Sequence, residues 1–131
     1  MPNCTTAAPS ISLIPNNKLV YVVASAQSSG VQTVTIKDST GKTVFTASGK
    51  SSSGGTFTVI GSGTFSTTAD GIYTVTLTSG AGILPGESSI VYQGSVFLQT
   101  YTFGCNDGGC QGGDRDFNDL VVSITCFGTV G

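Results

Sequence analysis

The residues able to do chemistry in this chain are concentrated in one short run. Four of its 7 acidic residues, Asp107, Asp114, Asp116 and Asp119, fall between positions 107 and 119, within CNDGGCQGGDRDFNDLVVSI. Asp114, Asp116 and Asn118 stand at alternate positions, so an extended backbone would aim their side-chain oxygens to one side. Asp119 follows, where the apolar run Leu120, Val121, Val122 begins. Converging carboxylates repel: at roughly 4 Å and an effective dielectric near 20, each pair costs on the order of 4 kcal/mol. Arg115 is the basic residue nearby, and in an extended segment it points away from its two Asp neighbours. The cluster therefore needs a cation, and hard oxygen donors among glycines favour calcium over transition metals. It is not an EF-hand, because Asp119 occupies the sixth position, where that loop needs Gly. The plain alternative is a solvated hairpin loop whose aspartates cap turns.

Other chemistries are poorly supplied. The chain has 0 His, which removes most zinc sites and histidine acid/base catalysis. Outside the acidic run only Asp38, Asp70 and Glu87 remain, and no carboxylate pair spans a cleft for glycoside hydrolysis, so an enzyme is not expected. The net charge of -2 argues against nucleic acid, whose binding is mostly Lys and Arg neutralising phosphate. No run approaches the roughly 20 apolar residues of a membrane helix, and the start of the chain lacks a secretory pattern. A soluble protein without membrane insertion is expected. Cys4, Cys105, Cys110 and Cys126 are even in number. Two disulfides are expected, Cys105 with Cys110 across a glycine loop and Cys4 with Cys126 near the chain ends, although four cysteines permit three connectivities. Disulfides would suggest an extracellular or cell-surface destination.

The positioning elements read as strands. Charged residues make up only 9% of the chain, and Val, Ile, Thr, Tyr and Phe favour pleated sheet over helix. Alternating runs such as VQTVTI and GIYTVTL lie between turn clusters. Strands are expected near 10–14, 19–26, 31–36, 42–47, 56–60, 64–66, 72–78, 95–103 and 120–126. About nine short strands indicate an all-β, antiparallel sandwich of jelly-roll or Greek-key type, with residues 1–131 as one domain.

Through DRDFNDLVVSI the sequence resembles the calcium-dependent fucose- and mannose-binding bacterial lectins, the LecB-like family. A second stretch, SISLIPNNKLVYVVASAQSSGVQTVTI, is similar to that family's N-terminal half. The resemblance implies that Asp114, Asp116, Asn118 and Asp119 hold a pair of adjacent calcium ions. It places Gln27 on an Asn that also reaches calcium, through a backbone carbonyl or its side-chain amide. Ser28, Ser29 and Gly30 match the loop that chooses between monosaccharides. Asn106 and Asp107 stand where the family has a Glu-Asp pair and are expected among the metal ligands, ahead of a loop longer than the family's. Gly131 matches a terminal Gly whose carboxylate enters a partner subunit's calcium site, although the tail here runs about two residues longer. Three consecutive sugar hydroxyls would meet the ions, with Gln27, Asp107, Asp114, Asp116 and Asp119 also contacting the sugar. The partners implied are monosaccharides or glycans of fucose or mannose type and a second copy of the chain, as homodimer or homotetramer. A calcium-stabilised structural or adhesive sandwich that binds no sugar is the rival reading.

Overall fold

Alternation of apolar and polar residues builds the molecule. The computed structural model describes residues 3–53 and 55–129. Among them lie nine strands: β1 (Ser10–Ser12), β2 (Leu19–Ala26), β3 (Gln32–Asp38), β4 (Thr43–Gly49), β5 (Thr58–Ser66), β6 (Ile72–Leu77), β7 (Gly82–Tyr92), β8 (Ser95–Asn106) and β9 (Leu120–Phe127). All pairings are antiparallel, in a four-stranded sheet of order β1-β6-β3-β4 and a five-stranded sheet of order β5-β2-β9-β8-β7. β2 buries Val20, Val22, Ala24 and Ala26, β9 buries Leu120, Val122, Ile124 and Cys126, and β3 answers from the other sheet with Val34 and Ile36. Each such Val, Leu or Ile stabilises the sandwich by roughly 1.5–3 kcal/mol relative to exposure. The all-β sandwich expected from the pattern is what forms.

Two strand expectations change. Segments 56–60 and 64–66 are one strand, β5, because Gly61 and Gly63 are packing residues rather than a turn. A Cβ at Gly61 would stand 2.6 Å from the Ala47 Cβ, and one at Gly63 would stand 3.4 Å from the Phe45 ring. β7 escaped notice because GILPGESSIVY carries Pro85, Gly86 and Glu87 and alternates poorly. It lies at the edge of its sheet, where a proline's missing N–H costs no ladder bond.

The disulfide pairing also differs: the bond joins Cys4 to Cys110, and Cys105 and Cys126 are buried free thiols. β9 explains why. It starts with Leu120 opposite Cys105 and carries Cys126, one residue before its end, opposite Gln99. Cys126 is thereby carried roughly 20 Å from the acidic loop. Cys4 lies at that loop because Thr5 bridges Ile83, whose strand partner is Cys105. Cys105 and Cys126 belong to the apolar core, and burial pushes both thiols up, Cys105 to about 12.

Candidate functional site

Three strand ends meet at Asp119. Leu120 pairs with Ala26 on one side and with Cys105 on the other, so the end of β2, the end of β8 and the start of β9 lie together. The ladder runs one step further: the Asp119 N–H donates to the Cys105 carbonyl at 3.0 Å, and the Gln27 N–H donates to the Asp119 carbonyl at 3.1 Å. The sheet backbone thus fixes the residue where the acidic run joins the core.

The run before it is not extended. Gly113, Arg115 and Phe117 have φ of 65°, 54° and 55°, so the chain turns through left-handed conformations on either side of Asp116. For Arg115 and Phe117 this costs on the order of 1–2 kcal/mol each, strain that proteins keep where a site over-determines it. Gly104 helps hold it, because a Cβ there would stand 2.8 Å from the Phe117 carbonyl oxygen. The expected alternation is replaced by a tighter convergence: Asp114, Asp116 and Asp119 each offer a carboxylate oxygen, and these lie within 4.8 Å of one another. Asp114 and Asp116 are exposed, while Asn118 and Asp119 are half-buried. The Asp119 carboxyl is pushed up by its burial, and the negative charges of Asp107 and Asp116 push it the same way.

Asp107 joins the two sequence motifs. Its N–H donates to Asp119 Oδ2 at 2.8 Å, and its own Oδ2 accepts from the Ser28 hydroxyl at 3.0 Å. The Ser28 hydroxyl also accepts from the Gly30 N–H at 3.0 Å, so the Ser28–Ser29–Gly30 turn is tied to the acidic run 79 residues away. Gln27 sits at the same junction, and its Nε2 donates to the Gly55 carbonyl of the β4–β5 loop at 3.0 Å. Ser51 of that loop donates its N–H to the Ser28 carbonyl at 2.8 Å. Ser29 and Gly30 are exposed beside them.

Asn106 is 1% exposed and braces the glycine loop from within. Its Nδ2 donates to the carbonyls of Gly109 and Gly112, both at 2.8 Å, while its Oδ1 is buried without a partner. A buried acceptor left bare costs roughly 1–3 kcal/mol, a deficit that a nearby cation removes. Carboxylate and amide oxygens are the donor set calcium takes, so these residues fit that ion. Gly131 lies outside the described residues.

Gln32 was missed from the sequence. It is 1% exposed, accepts from the Thr78 hydroxyl at 2.8 Å, and reaches toward the Gly30 carbonyl at 3.3 Å and Asp107 Oδ2 at 3.5 Å. The signal was present: in VQTVTI, Gln32 shares the inward parity of Val34 and Ile36, and a polar residue there needs partners.

Residues 11–128 match the model of the family described as Fucose-binding lectin II (PA-IIL). The chain belongs to that family. It is 52% identical over 125 residues to Thrombocorticin from Corticium sp., covering 93% of this chain and 95% of that protein. Among solved structures, the C-terminal domain of the BC2L-C lectin from Burkholderia cenocepacia superposes with a TM-score of 0.71 at 19% identity, covering 95% of this chain and 98% of that one. The Chromobacterium violaceum lectin CV2L, solved in complex with alpha-methyl-fucoside, gives 0.66 at 22% identity, covering 91% and 95%. The Ralstonia solanacearum high-affinity mannose-binding lectin gives 0.66 at 18% identity with the same coverage. At those identities the solved structures speak for the fold. Fucose-binding lectin II members bind sugars without transforming them, so this chain is not an enzyme.

Proposed function

We propose that this chain is a calcium-dependent lectin for fucose- or mannose-type sugars, with its site at the junction of β2, β8 and β9. The observation that carries the reading is the convergence of Asp114, Asp116 and Asp119 within 4.8 Å of one another; the buried, unpartnered Oδ1 of Asn106 lies against Gly113, the residue before Asp114. Three carboxylates in that space are self-repelling and become favourable only around positive charge. Asp114, Asp116, Asn118 and Asp119 would hold two adjacent calcium ions, with Asn106 Oδ1 and an oxygen of Gln27 adding donors. Bound calcium supplies loose coordination positions that neighbouring sugar hydroxyls fill in place of water.

The protein's own part is orientation. Carboxylate oxygens at the rim accept hydrogen bonds from those hydroxyls, and such charge-assisted bonds are about twice as strong as neutral ones. Asp107, which accepts from Ser28 and is approached by Gln32, ties the Ser28–Ser29–Gly30 turn to the acidic run, where the turn would meet a bound sugar. The reading extends to a homodimer. Ile90, Val91, Tyr92, Val96 and Phe97 at the far tip of the β7–β8 hairpin are all more than 40% exposed, a surface suited to a second copy. Residues after Phe127 leave beside that tip, because Phe127 pairs with Leu98. The Cys4–Cys110 bond accords with an extracellular setting.

Titration of the metal-free protein with calcium, followed by fucose and mannose, tests the reading by calorimetry. Calcium should release or absorb heat and raise the melting temperature, and sugar should bind only after calcium. Absence of both calcium heat and stabilisation would remove the metal reading. Calcium binding without affinity for any sugar on a glycan array would leave a metal-stabilised structural sandwich.

A further inference from the structure

The loop between the two halves of the site is unusually soft in sequence and unusually constrained in space. Residues 108–113 read GGCQGG, and glycine loses more conformational freedom on ordering than any other residue. This soft segment separates Asp107 from Asp114, so any spread in it moves the two apart. Three contacts oppose that spread. Asn106 Nδ2 binds the Gly109 and Gly112 carbonyls from inside. Gly82 at the start of β7 lies so close that a Cβ there would stand 2.5 Å from the Gly109 carbonyl oxygen. Cys110, at the outer face, is bonded to Cys4.

The Cys4 end is itself anchored. Thr5 and Ile83 exchange backbone hydrogen bonds of 3.2 and 2.8 Å, and the Val75 N–H donates to the Pro9 carbonyl at 2.9 Å. Neither Cys4 nor Cys110 belongs to the apolar core, which Cys105 and Cys126 do join. The covalent link therefore constrains the glycine loop more directly than the sandwich.

We propose that the Cys4–Cys110 bond is a positioning element of the calcium site, holding residues 107–114 in the binding geometry before the ion arrives. The inference rests on the calcium reading given above. Without the bond the loop samples arrangements in which Asp107 and Asp114 are apart, and the apparent affinity falls by the fraction of molecules still competent. Once calcium saturates the site the loop is ordered again, so sugar affinity is unchanged. A purely structural disulfide would behave otherwise, lowering the melting temperature and leaving calcium affinity alone.

The test compares calcium dissociation constants for the full chain, for Cys4→Ser/Cys110→Ser, and for Ile36→Val, a core change that costs stability away from the loop. The double variant should bind calcium about tenfold more weakly and keep its fucose affinity at saturating calcium within twofold, with Ile36→Val matching the parent in both. Unchanged calcium affinity in the double variant, or an equal loss in Ile36→Val, overturns the proposal. A parent chain that takes up no calcium overturns the functional reading first, and this proposal with it. Should the double variant fail to fold, the already folded parent is reduced with a water-soluble phosphine. The phosphine gains oxygen from water as the bond becomes two thiols, and the same tenfold loss is then expected, an unchanged constant being the refutation.

Discussion

The two ends of the five-stranded sheet are built on opposite principles. At one end, β2, β8 and β9 converge on carboxylates joined by backbone and hydroxyl donors, and negative charge is crowded around a half-buried Asp119. At the other, the β7–β8 hairpin presents Ile90, Val91, Tyr92, Val96 and Phe97 to solvent, with Tyr92 and Phe97 edge to face at 6.2 Å. Each end is unfavourable in isolation, the first through repulsion and the second through exposed apolar surface. The sheet between them satisfies its own backbone and core, and on the proposed reading a cation answers the first end and a second copy of the chain the other.

The largest effect should come from breaking the charged end. Asp119→Asn keeps an oxygen for the Asp107 N–H but removes a charge from the cluster. Losing a partner outside the coordination shell usually costs about 10–100-fold in metal affinity, so losing this carboxylate should cost more than about 100-fold. In the metal-free protein the same change should act in reverse and raise the melting temperature, because it relieves repulsion. Calorimetry and melting curves with and without calcium check both signs. A variant destabilised in both states would mean that the cluster is a structural network rather than a site waiting for charge.

The apolar end comes next. Tyr92→Ser combined with Phe97→Ser should raise the dimer dissociation constant about 10–100-fold, read by sedimentation, since aromatic anchors dominate such interfaces. Calcium affinity should fall less than in Asp119→Asn, and only at protein concentrations where the dimer is lost. Full loss of calcium binding in a folded monomer would show the two ends to be one site.

Acid sharpens the contrast. The Asp119 carboxyl is raised above its ordinary 3.8, so in the metal-free protein its deprotonation costs stability. That cost is complete above the raised value and disappears as pH falls through it toward 3.8. Calcium requires the deprotonated form, so the calcium-dependent gain in melting temperature should shrink over the same window. Asp38 and Asp70, lowered by hydrogen bonds led by the Thr40 and Ser39 hydroxyls, lose stability on acidification. The comparison is therefore wild type against Asp119→Asn, in which these two contributions cancel. A calcium-dependent gain that stays constant from neutral pH down to about 4 would exclude Asp119 as a ligand.

These same contrasts mark where the sequence was legible. Strands such as β2, β3, β6 and β9 were readable because one face is dry and the alternation is strict. β7 was not, since an edge strand running into an exposed hairpin has no buried face to impose a period. Density alone pointed to four aspartates, of which Asp114, Asp116 and Asp119 converge, whereas the shape was not legible: the chain takes left-handed turns at Arg115 and Phe117, and Phe117 packs closely on Gly104 of β8. The Cys4–Cys110 pairing depended on which way β9 runs, which spacing in the sequence does not encode.

The smallest and most selective change lies between the two motifs. The Ser28 hydroxyl accepts from Gly30 and donates to Asp107, so it holds the turn and orients a rim carboxylate without reaching the metal cluster itself. Ser28→Ala leaves the Gly30 N–H and Asp107 Oδ2 free to take new partners, from water or from a sugar hydroxyl. Sugars differing in one hydroxyl's orientation meet that altered rim differently, whereas the ion meets the same carboxylates. The ratio of fucose to mannose affinity should therefore shift by about 3–10-fold, the size of one hydrogen bond, while the calcium constant stays within twofold. If calcium affinity instead falls with both sugar affinities in proportion, Asp107 belongs to the metal's own shell and Ser28 acts on charge rather than on choice of sugar.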